Sequence, residues 1–167
     1  MAHVARTALS WFRRTKKQKK ERIDPFTLTD PWRSFVQDAQ QAKARFGRII
    51  ATVREGPLRD RLGDIDARVD DGVHACWRIA ESGYQLHKTL LEVADTNSDS
   101  LTRMRAREDD TRQKLAALTK NLDEAVARAA ELATGQLSGL DAVADDVESV
   151  VGDLEALRQA IAEVHPT

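Results

Sequence analysis

The sequence of 167 residues contains one cysteine and few aromatic residues. Because Cys76 is alone, an intramolecular disulfide is excluded, and a reducing compartment is favoured. Aromatic residues make up 5% of the chain, and only Trp77 and Tyr84 lie beyond residue 46. The later apolar residues are almost all aliphatic, which favours narrow seams between helices over a thick globular core.

Long apolar runs are also absent. No stretch approaches the roughly 18–20 apolar residues that a helix needs to span a bilayer. The first residues do not resemble a secretory signal, because their charges follow a short apolar stretch instead of preceding a longer one. No segment alternates apolar and polar residues as a strand does. These absences predict an all-α protein located in the cytoplasm.

Motifs that carry known chemistry are missing as well. There is no glycine-rich phosphate loop, and no Ser/His/Asp arrangement can be traced. His74, Cys76 and His87 do not share a helical face, which argues against a zinc site. On a helix, His74 and Cys76 would point about 200° apart, so we predict that Cys76 is a packing residue. We therefore expect no enzymatic activity, no cofactor and no metal.

Positive charge is concentrated in residues 1–22, which we call the arm. The arm has eight Lys and Arg residues against one Glu, a net charge of +7, and the rest of the chain carries −8 to reach the formal total of −1. If residues 3–20 form a helix, that helix has an apolar face bordered by cations. The residues predicted to contact a membrane are Arg6, Leu9, Trp11, Phe12, Arg13, Arg14, Lys16, Lys17, Lys19 and Lys20.

This composition favours binding of the arm to anionic lipid. Each Lys or Arg near such a surface contributes about 1 kcal/mol, and Trp11 and Phe12 offer apolar area at the headgroup boundary. There are two alternatives: the arm binds nucleic-acid phosphates, or it is a solvated tail without a defined ligand. Phosphate binding does not require an apolar face, so the lipid interpretation is preferred. The expected location is the cytoplasm, peripheral at the inner face of the cell membrane.

Four further helices are predicted, over about 31–55, 57–95, 99–134 and 136–165. Each has an apolar seam with alternating steps of three and four residues, the heptad pattern of helices that pack side by side. A compact bundle and an extended, self-associating coiled coil share this pattern, and both stay open. The predicted organisation is an arm (1–22), a linker (23–30), an antiparallel hairpin (31–95), a second linker (96–100) and a coiled-coil-like region (101–167).

Local signals mark the ends of these helices. Asp30 is predicted to be the N-cap of the first, with Pro31 as its first helical residue. The Gly56-Pro57 pair predicts the tight corner of the hairpin. Three glycines interrupt the helix over 57–95, at about 1 kcal/mol each, which indicates that another backbone comes close or that the helix bends or breaks. These glycines are Gly63, Gly72 and Gly83.

The apolar seams are expected to contact a helical protein partner or further copies of the chain. The residues predicted at such interfaces are Trp32, Phe35, Phe46, Ile49, Val69, Trp77, Leu86, Leu115, Leu118 and Leu122. Glu108 and Thr111 weaken the seam of the helix over 99–134. The last helix is strongly acidic, and its charges either set how it pairs with other helices or serve solubility alone.

Together these features predict a non-enzymatic scaffold or adaptor that associates with the membrane through its arm and forms homo-oligomers or binds a helical partner through its seams. The layout resembles that of phage-shock-protein-A-type membrane scaffolds, which also join an N-terminal amphipathic helix to a long helical hairpin. The alternative is a nucleic-acid-associated coiled-coil protein that uses the same arm. A third interpretation, a small helical enzyme or ligand carrier, would require a buried pocket beside His74, Trp77 and Tyr84.

Overall fold

The computed structural model describes residues 21–94, 98–135 and 139–164. Within these ranges the chain has no strand and packs as a bundle of four helices, so the predicted all-α fold is confirmed. The bundle is compact rather than an extended coiled coil, and the predicted helix of the arm lies outside the described residues. The helices are α1 (Trp32–Thr52), α2 (Pro57–Glu92), α3 (Asp99–Ala133) and α4 (Leu140–Val164).

Two helix starts follow from local chemistry. Gly56 precedes α2 with a φ of +150°, which residues with a side chain rarely adopt, and Pro57 is the first helical residue. The hydroxyl of Ser98 caps α3 by accepting a hydrogen bond from the backbone N–H of Leu101 at 3.2 Å. The hairpin corner is therefore where the sequence predicts it.

The start of α1 corrects one prediction. Pro31, not Asp30, is the N-cap, and no side chain caps this helix. The backbone N–H of Arg33 already bonds to the carbonyl of Thr29 at 3.0 Å, and the carboxylate of Asp30 accepts a hydrogen bond from the hydroxyl of Ser34 at 2.7 Å. The Asp30 side chain is thus engaged by another side chain instead of by the helix backbone.

Successive helices run antiparallel, and α2 and α3 form the middle of the bundle. Each of these two contacts all the other helices, whereas α1 and α4 lie on opposite sides and make no contact through their described residues. Arg61 pairs with Asp141 and Arg68 pairs with Glu148, so α2 and α4 run parallel with a constant offset of 80 residues. The two hairpins therefore pack with their central helices against each other.

The predicted seams form the core. Adjoining positions such as Val36, Val126 and Val151 are also buried, so each apolar face is wider than a strict heptad stripe. This width is expected because each helix packs against two or three neighbours. The largest fully buried side chains are Trp32, Val36, Phe46, Leu62, Val69, Cys76, Ile79, Leu115, Leu122, Val147, Val151 and Leu154.

The glycines of α2 correct part of a second prediction, namely that another backbone comes close or that the helix breaks there. The helix continues through all three, and the atoms nearest to Gly72 and Gly83 belong to side chains instead of a backbone. A methyl group on residue 83 would lie 2.3 Å from Cη2 of Trp32, and one on residue 72 would lie 2.9 Å from Cγ2 of Val151. A methyl group on Gly63 would meet nothing within 4 Å. Two of the glycines therefore make room for large side chains of neighbouring helices.

The acidic α4 is paired with arginines of α2 and α3. The guanidinium of Arg68 donates two hydrogen bonds to the carboxylate of Glu148, at 2.7 and 2.8 Å, and two to that of Glu155, at 2.8 and 3.3 Å. Arg128 lies 3.3 Å from Asp146. Hydrogen bonding to Glu148 raises the pKa of Arg68, and the same contact lowers the pKa of Glu148. These contacts support the interpretation that charge sets how the last helix pairs.

Candidate functional site

The residues predicted to contact a membrane all precede Glu21, the first residue that the structure describes. They lie outside the described residues, and their role stays a prediction. The structure does define residues 21–28, which we call the arm root because they connect the arm to α1. The position of the arm root shows where the chain that carries the charged arm joins the bundle.

The arm root lies against the first hairpin. The carboxylate of Glu21 is 2.9 Å from the guanidinium of Arg78 on α2. Pro25 and Leu28 are buried, and the carbonyl of Leu28 accepts a hydrogen bond from Nε of Arg33 at 2.9 Å. The segment expected to be a linker is therefore packed on the body, and its first described residue, Glu21, lies beside Arg78.

Two clefts flank the arm root. The first has a volume of about 360 Å³ and is bordered by Lys43, Asp70 and His74. The second has a volume of about 450 Å³ and is bordered by Trp77 and Tyr84, among others. Both are open to solvent, so neither is the buried pocket that a ligand carrier would require.

The first cleft is lined by charged groups that engage one another. Nζ of Lys43 lies 3.7 Å from Asp66 and 3.9 Å from Asp70. Nδ1 of His74 lies 2.8 Å from the backbone carbonyl oxygen of Asp70. In the described part of the chain, no three His, Cys, Asp or Glu side chains are grouped as a metal site. This arrangement stabilises the α1–α2 contact.

The second cleft holds a carboxyl group with a perturbed pKa. Burial raises the pKa of Glu81, and the negative charge of Glu21 raises it further. The indole nitrogen of Trp77 is buried and has no acceptor among the described residues. The hydroxyl of Thr27 donates to the carbonyl of Asp24 at 2.8 Å, so it does not face Glu81 as an activated nucleophile. Burial and the neighbouring charge of Glu21 together account for the raised pKa of Glu81.

Cys76 is a core residue, as predicted. Its side chain is fully buried, and Sγ lies 3.8 Å from the carbonyl oxygen of Phe35. Burial, with a smaller contribution from the charge of Asp38, raises the pKa of the thiol to about 12. A thiol that stays protonated in this way is a poor nucleophile and a poor metal ligand.

The seam residues predicted to bind a partner pack within the chain. Six of the ten are buried, namely Trp32, Phe46, Val69, Trp77, Leu115 and Leu122. The other four are half-buried, namely Phe35, Ile49, Leu86 and Leu118. A partner would have to open the bundle to reach the buried six. Association with copies or with other helices stays a prediction, and the outer faces are the surfaces that could serve it without unfolding.

Comparisons with known proteins add no functional assignment. No protein-family model matches the chain, and neither a curated protein nor a solved structure matches it. Among the described residues, no helix combines the length and the apolar character that crossing a membrane requires. The function is therefore inferred from the residues and the geometry of this chain.

Proposed function

We propose that this protein is a non-enzymatic helical scaffold or adaptor that its arm holds at the cytoplasmic face of a membrane. The observation that carries the proposal is the separation of charge, with +7 on residues 1–22 and −8 on the remainder. An anionic surface attracts the arm and repels the acidic body. At physiological salt these forces act over about 8–10 Å, so the repulsion keeps the bundle off the lipid while the arm binds.

The packing of the bundle supports this division of roles. Because the four helices bury their seams against one another, the described residues expose few large apolar side chains, namely Phe26, Leu91 and Val93. The apolar side chains of the arm, Leu9, Trp11 and Phe12, provide the area for insertion. Because the chain is packed on the bundle from the arm root onward, the bundle would lie close to its anchor instead of at the end of a long tether.

The adaptor role belongs to the outer faces of the bundle. The first part of α3 exposes Arg103, Arg105 and Arg107, whereas α4 exposes Asp145 and Asp153. These surfaces of opposite sign suit contacts between copies of the chain or with a charged helical partner. Such contacts leave the core intact, unlike contacts made through the seams.

Flotation of the full-length protein with vesicles tests the anchor. We expect binding to vesicles that contain phosphatidylglycerol and much weaker binding to pure phosphatidylcholine. Changing four arm lysines to Gln should abolish most of the binding; these are Lys16, Lys17, Lys19 and Lys20. The matched control removes four exposed arginines of the bundle and should bind normally; these are Arg48, Arg54, Arg103 and Arg105. Equal binding by the lysine variant would overturn the proposal.

Salt separates lipid binding from the nucleic-acid alternative. Binding to DNA through phosphates should fall steeply with salt, with a slope of about −0.9 per phosphate contact. Binding to lipid should keep a part that resists salt, because Trp11 and Phe12 insert. The double variant Trp11→Ser, Phe12→Ser should lose that part alone. If DNA binds more tightly than vesicles at physiological salt, the nucleic-acid alternative replaces the proposal.

A further inference from the structure

A cavity of about 150 Å³ lies between α2, α3 and α4, where the sequence predicts the weakest part of the α3 seam. Gly83 and Leu86 border it on α2, Thr111 borders it on α3, and Leu157 and Ile161 border it on α4. Most of these side chains are aliphatic. Ser82 borders it as well, so the cavity offers apolar walls with two hydroxyls among them.

The residues around the cavity explain why it is not filled. The ring of Trp32 lies beside Gly83 on the side of α2 that faces α1. It does not form part of the cavity wall on the side that faces α4. Glu108 is engaged elsewhere, since one of its carboxylate oxygens lies 2.7 Å from Nδ1 of His87. Thr111 is smaller than the leucines that fill other levels of this seam. The bundle thus leaves a gap at the level of Thr111.

The two buried threonines of α3 behave differently. Thr119 is 6% exposed, and its hydroxyl donates to the carbonyl of Leu115 at 2.8 Å, which is how a threonine in a helix usually satisfies its hydroxyl. Thr111 is 5% exposed, and its hydroxyl makes no hydrogen bond within the described part of the chain. The hydroxyl oxygen of Thr111 is not among the fully buried polar atoms that lack a partner, so it carries no burial penalty of its own. It borders the cavity, where a ligand would accept its hydrogen bond.

The rim of the cavity carries one excess positive charge. Lys114 pairs with Asp110 at 2.8 Å, so these two charges compensate each other. Arg107 is exposed and forms no ion pair among the described residues. A ligand whose polar end reached the rim would therefore meet a cation that is not neutralised by a neighbouring carboxylate.

We propose that this cavity binds a small amphiphilic anion, a short-chain carboxylate whose hydrocarbon part lies between Leu86, Leu157 and Ile161. An apolar cavity of about 150 Å³ accommodates a group of the size of benzene, so the hydrocarbon part has about six carbons. The carboxylate faces Arg107, and one of its oxygens accepts the hydrogen bond of Thr111. This site is independent of the arm and of the proposed membrane role.

Titration of the full-length protein with hexanoate, hexanol and hexylamine tests the site. The readouts are the NMR shifts of the methyl groups of Leu157 and Ile161 and the thermal midpoint of unfolding. We expect saturable changes that are strongest with hexanoate, weaker with hexanol and weakest with hexylamine. The absence of saturable shifts with hexanoate, or equal effects of all three probes, would overturn the proposal.

Variants locate the binding. Thr111→Leu should fill the cavity, raise the thermal midpoint without ligand and abolish the effect of hexanoate. Thr119→Val is the matched control: it removes a buried hydroxyl that has partners, so it should lower the midpoint and leave hexanoate binding unchanged. If Thr111→Leu does not fold, Ala160→Leu fills the same cavity from α4. Hexanoate binding that survives filling of the cavity would place the ligand elsewhere and contradict the proposal.

The charge at the rim is tested separately. Arg107→Gln should reduce the affinity for hexanoate to that for hexanol, since the uncharged probe does not use the cation. Arg105→Gln removes an exposed arginine from the same helix outside the cavity and should leave both affinities unchanged. If both variants weaken hexanoate equally, general electrostatic attraction explains the binding and the proposed site is wrong.

Discussion

The helix α2 packs against α1 and α4 by two different means. Toward α1, the rigid ring of Trp32 covers Gly83, and a Cβ at that position would lie 2.3 Å from the ring. Toward α4, aliphatic side chains meet Gly72, and the guanidinium of Arg68 holds carboxylates at the edge of the contact. The first contact depends on shape, and the second combines a looser fit with charge.

This difference affects how firmly each contact sets the register of the helices. The α2–α4 ion pairs recur every seven residues, and Arg68 already reaches both Glu148 and Glu155. A shift of α4 by one heptad would therefore pair Arg61 with Glu148 and keep Arg68 on Glu155. The α1–α2 contact allows no such shift, because only Gly83 leaves room for Trp32. We infer that shape fixes the register and that charge selects which helix docks.

The largest expected loss of stability comes from adding a side chain at Gly83, where the ring of Trp32 lies. Gly83→Ala would press a methyl group into the buried ring of Trp32, which cannot move aside as the end of a flexible side chain could. Overpacking of this kind should lower the free energy of unfolding by about 3 kcal/mol. Urea denaturation followed by circular dichroism measures this loss.

Gly63→Ala is the matched control on the same helix. The new methyl group would meet nothing within 4 Å, and alanine favours helix over glycine, so we expect a gain of about 0.5–1 kcal/mol. Adding Trp32→Leu to Gly83→Ala should recover part of the loss by removing the clash. If the two glycine variants change stability by the same amount, the shape-based account of the α1–α2 contact is wrong.

The all-helical fold could be predicted because heptad seams, the Gly56-Pro57 corner and the glycine at 135 are local signals. What decided between bundle and coiled coil was not local. Whether Trp32 finds Gly83 of its own chain or of another depends on how the hairpins fold back, which a periodic pattern does not encode. The close backbone expected at the glycines was wrong for the same reason, since the neighbour of Gly72 and of Gly83 proved to be a side chain from a distant segment.

The surfaces to which we assign a proposed function were less predictable than the core. The arm could be recognised from charge alone, whereas the packing of the arm root depends on single apolar residues, Ile23 and Leu28, within a stretch that reads as a linker. The cavity had a partial signal, because Thr111 interrupts an otherwise aliphatic seam. That interruption did not show that Gly83 and Ala160 come to the same level, since the three residues lie on different helices.

A smaller effect is expected from the charged contact of α2 with α4. In a double-mutant cycle of Arg68→Gln and Glu148→Gln, the coupling energy should be about 0.5–1 kcal/mol, because Glu148 is 62% exposed and the pair is screened. The coupling should decrease as salt increases. The pair of Arg61 and Asp141 is the control; Asp141 is 89% exposed, so its coupling should be close to zero. Coupling that is large and insensitive to salt would show that charge also fixes the register.

The smallest effects are expected from two carboxylates whose pKa values shift in opposite directions. Hydrogen bonding to Arg68 lowers the pKa of Glu148 below its ordinary 4.5, so its stabilisation is present above pH 4.5 and is lost as the pH falls through the lowered value. Burial and the charge of Glu21 raise the pKa of Glu81 above 4.5, so the folded state loses stability as the pH rises through the raised value.

Replacing each carboxylate with an amide separates these contributions. Glu148→Gln should be less stable than the natural protein at neutral pH, and Glu81→Gln should be more stable. Both differences should shrink toward acid pH, where the natural side chains are protonated and resemble the amides in charge. The measurement is the free energy of unfolding in urea across that pH range. If the difference in free energy of unfolding between Glu148→Gln and the natural protein stayed constant with pH, packing would support the α2–α4 contact instead of the ion pair with Arg68. The contrast between the two sides of α2 would then disappear.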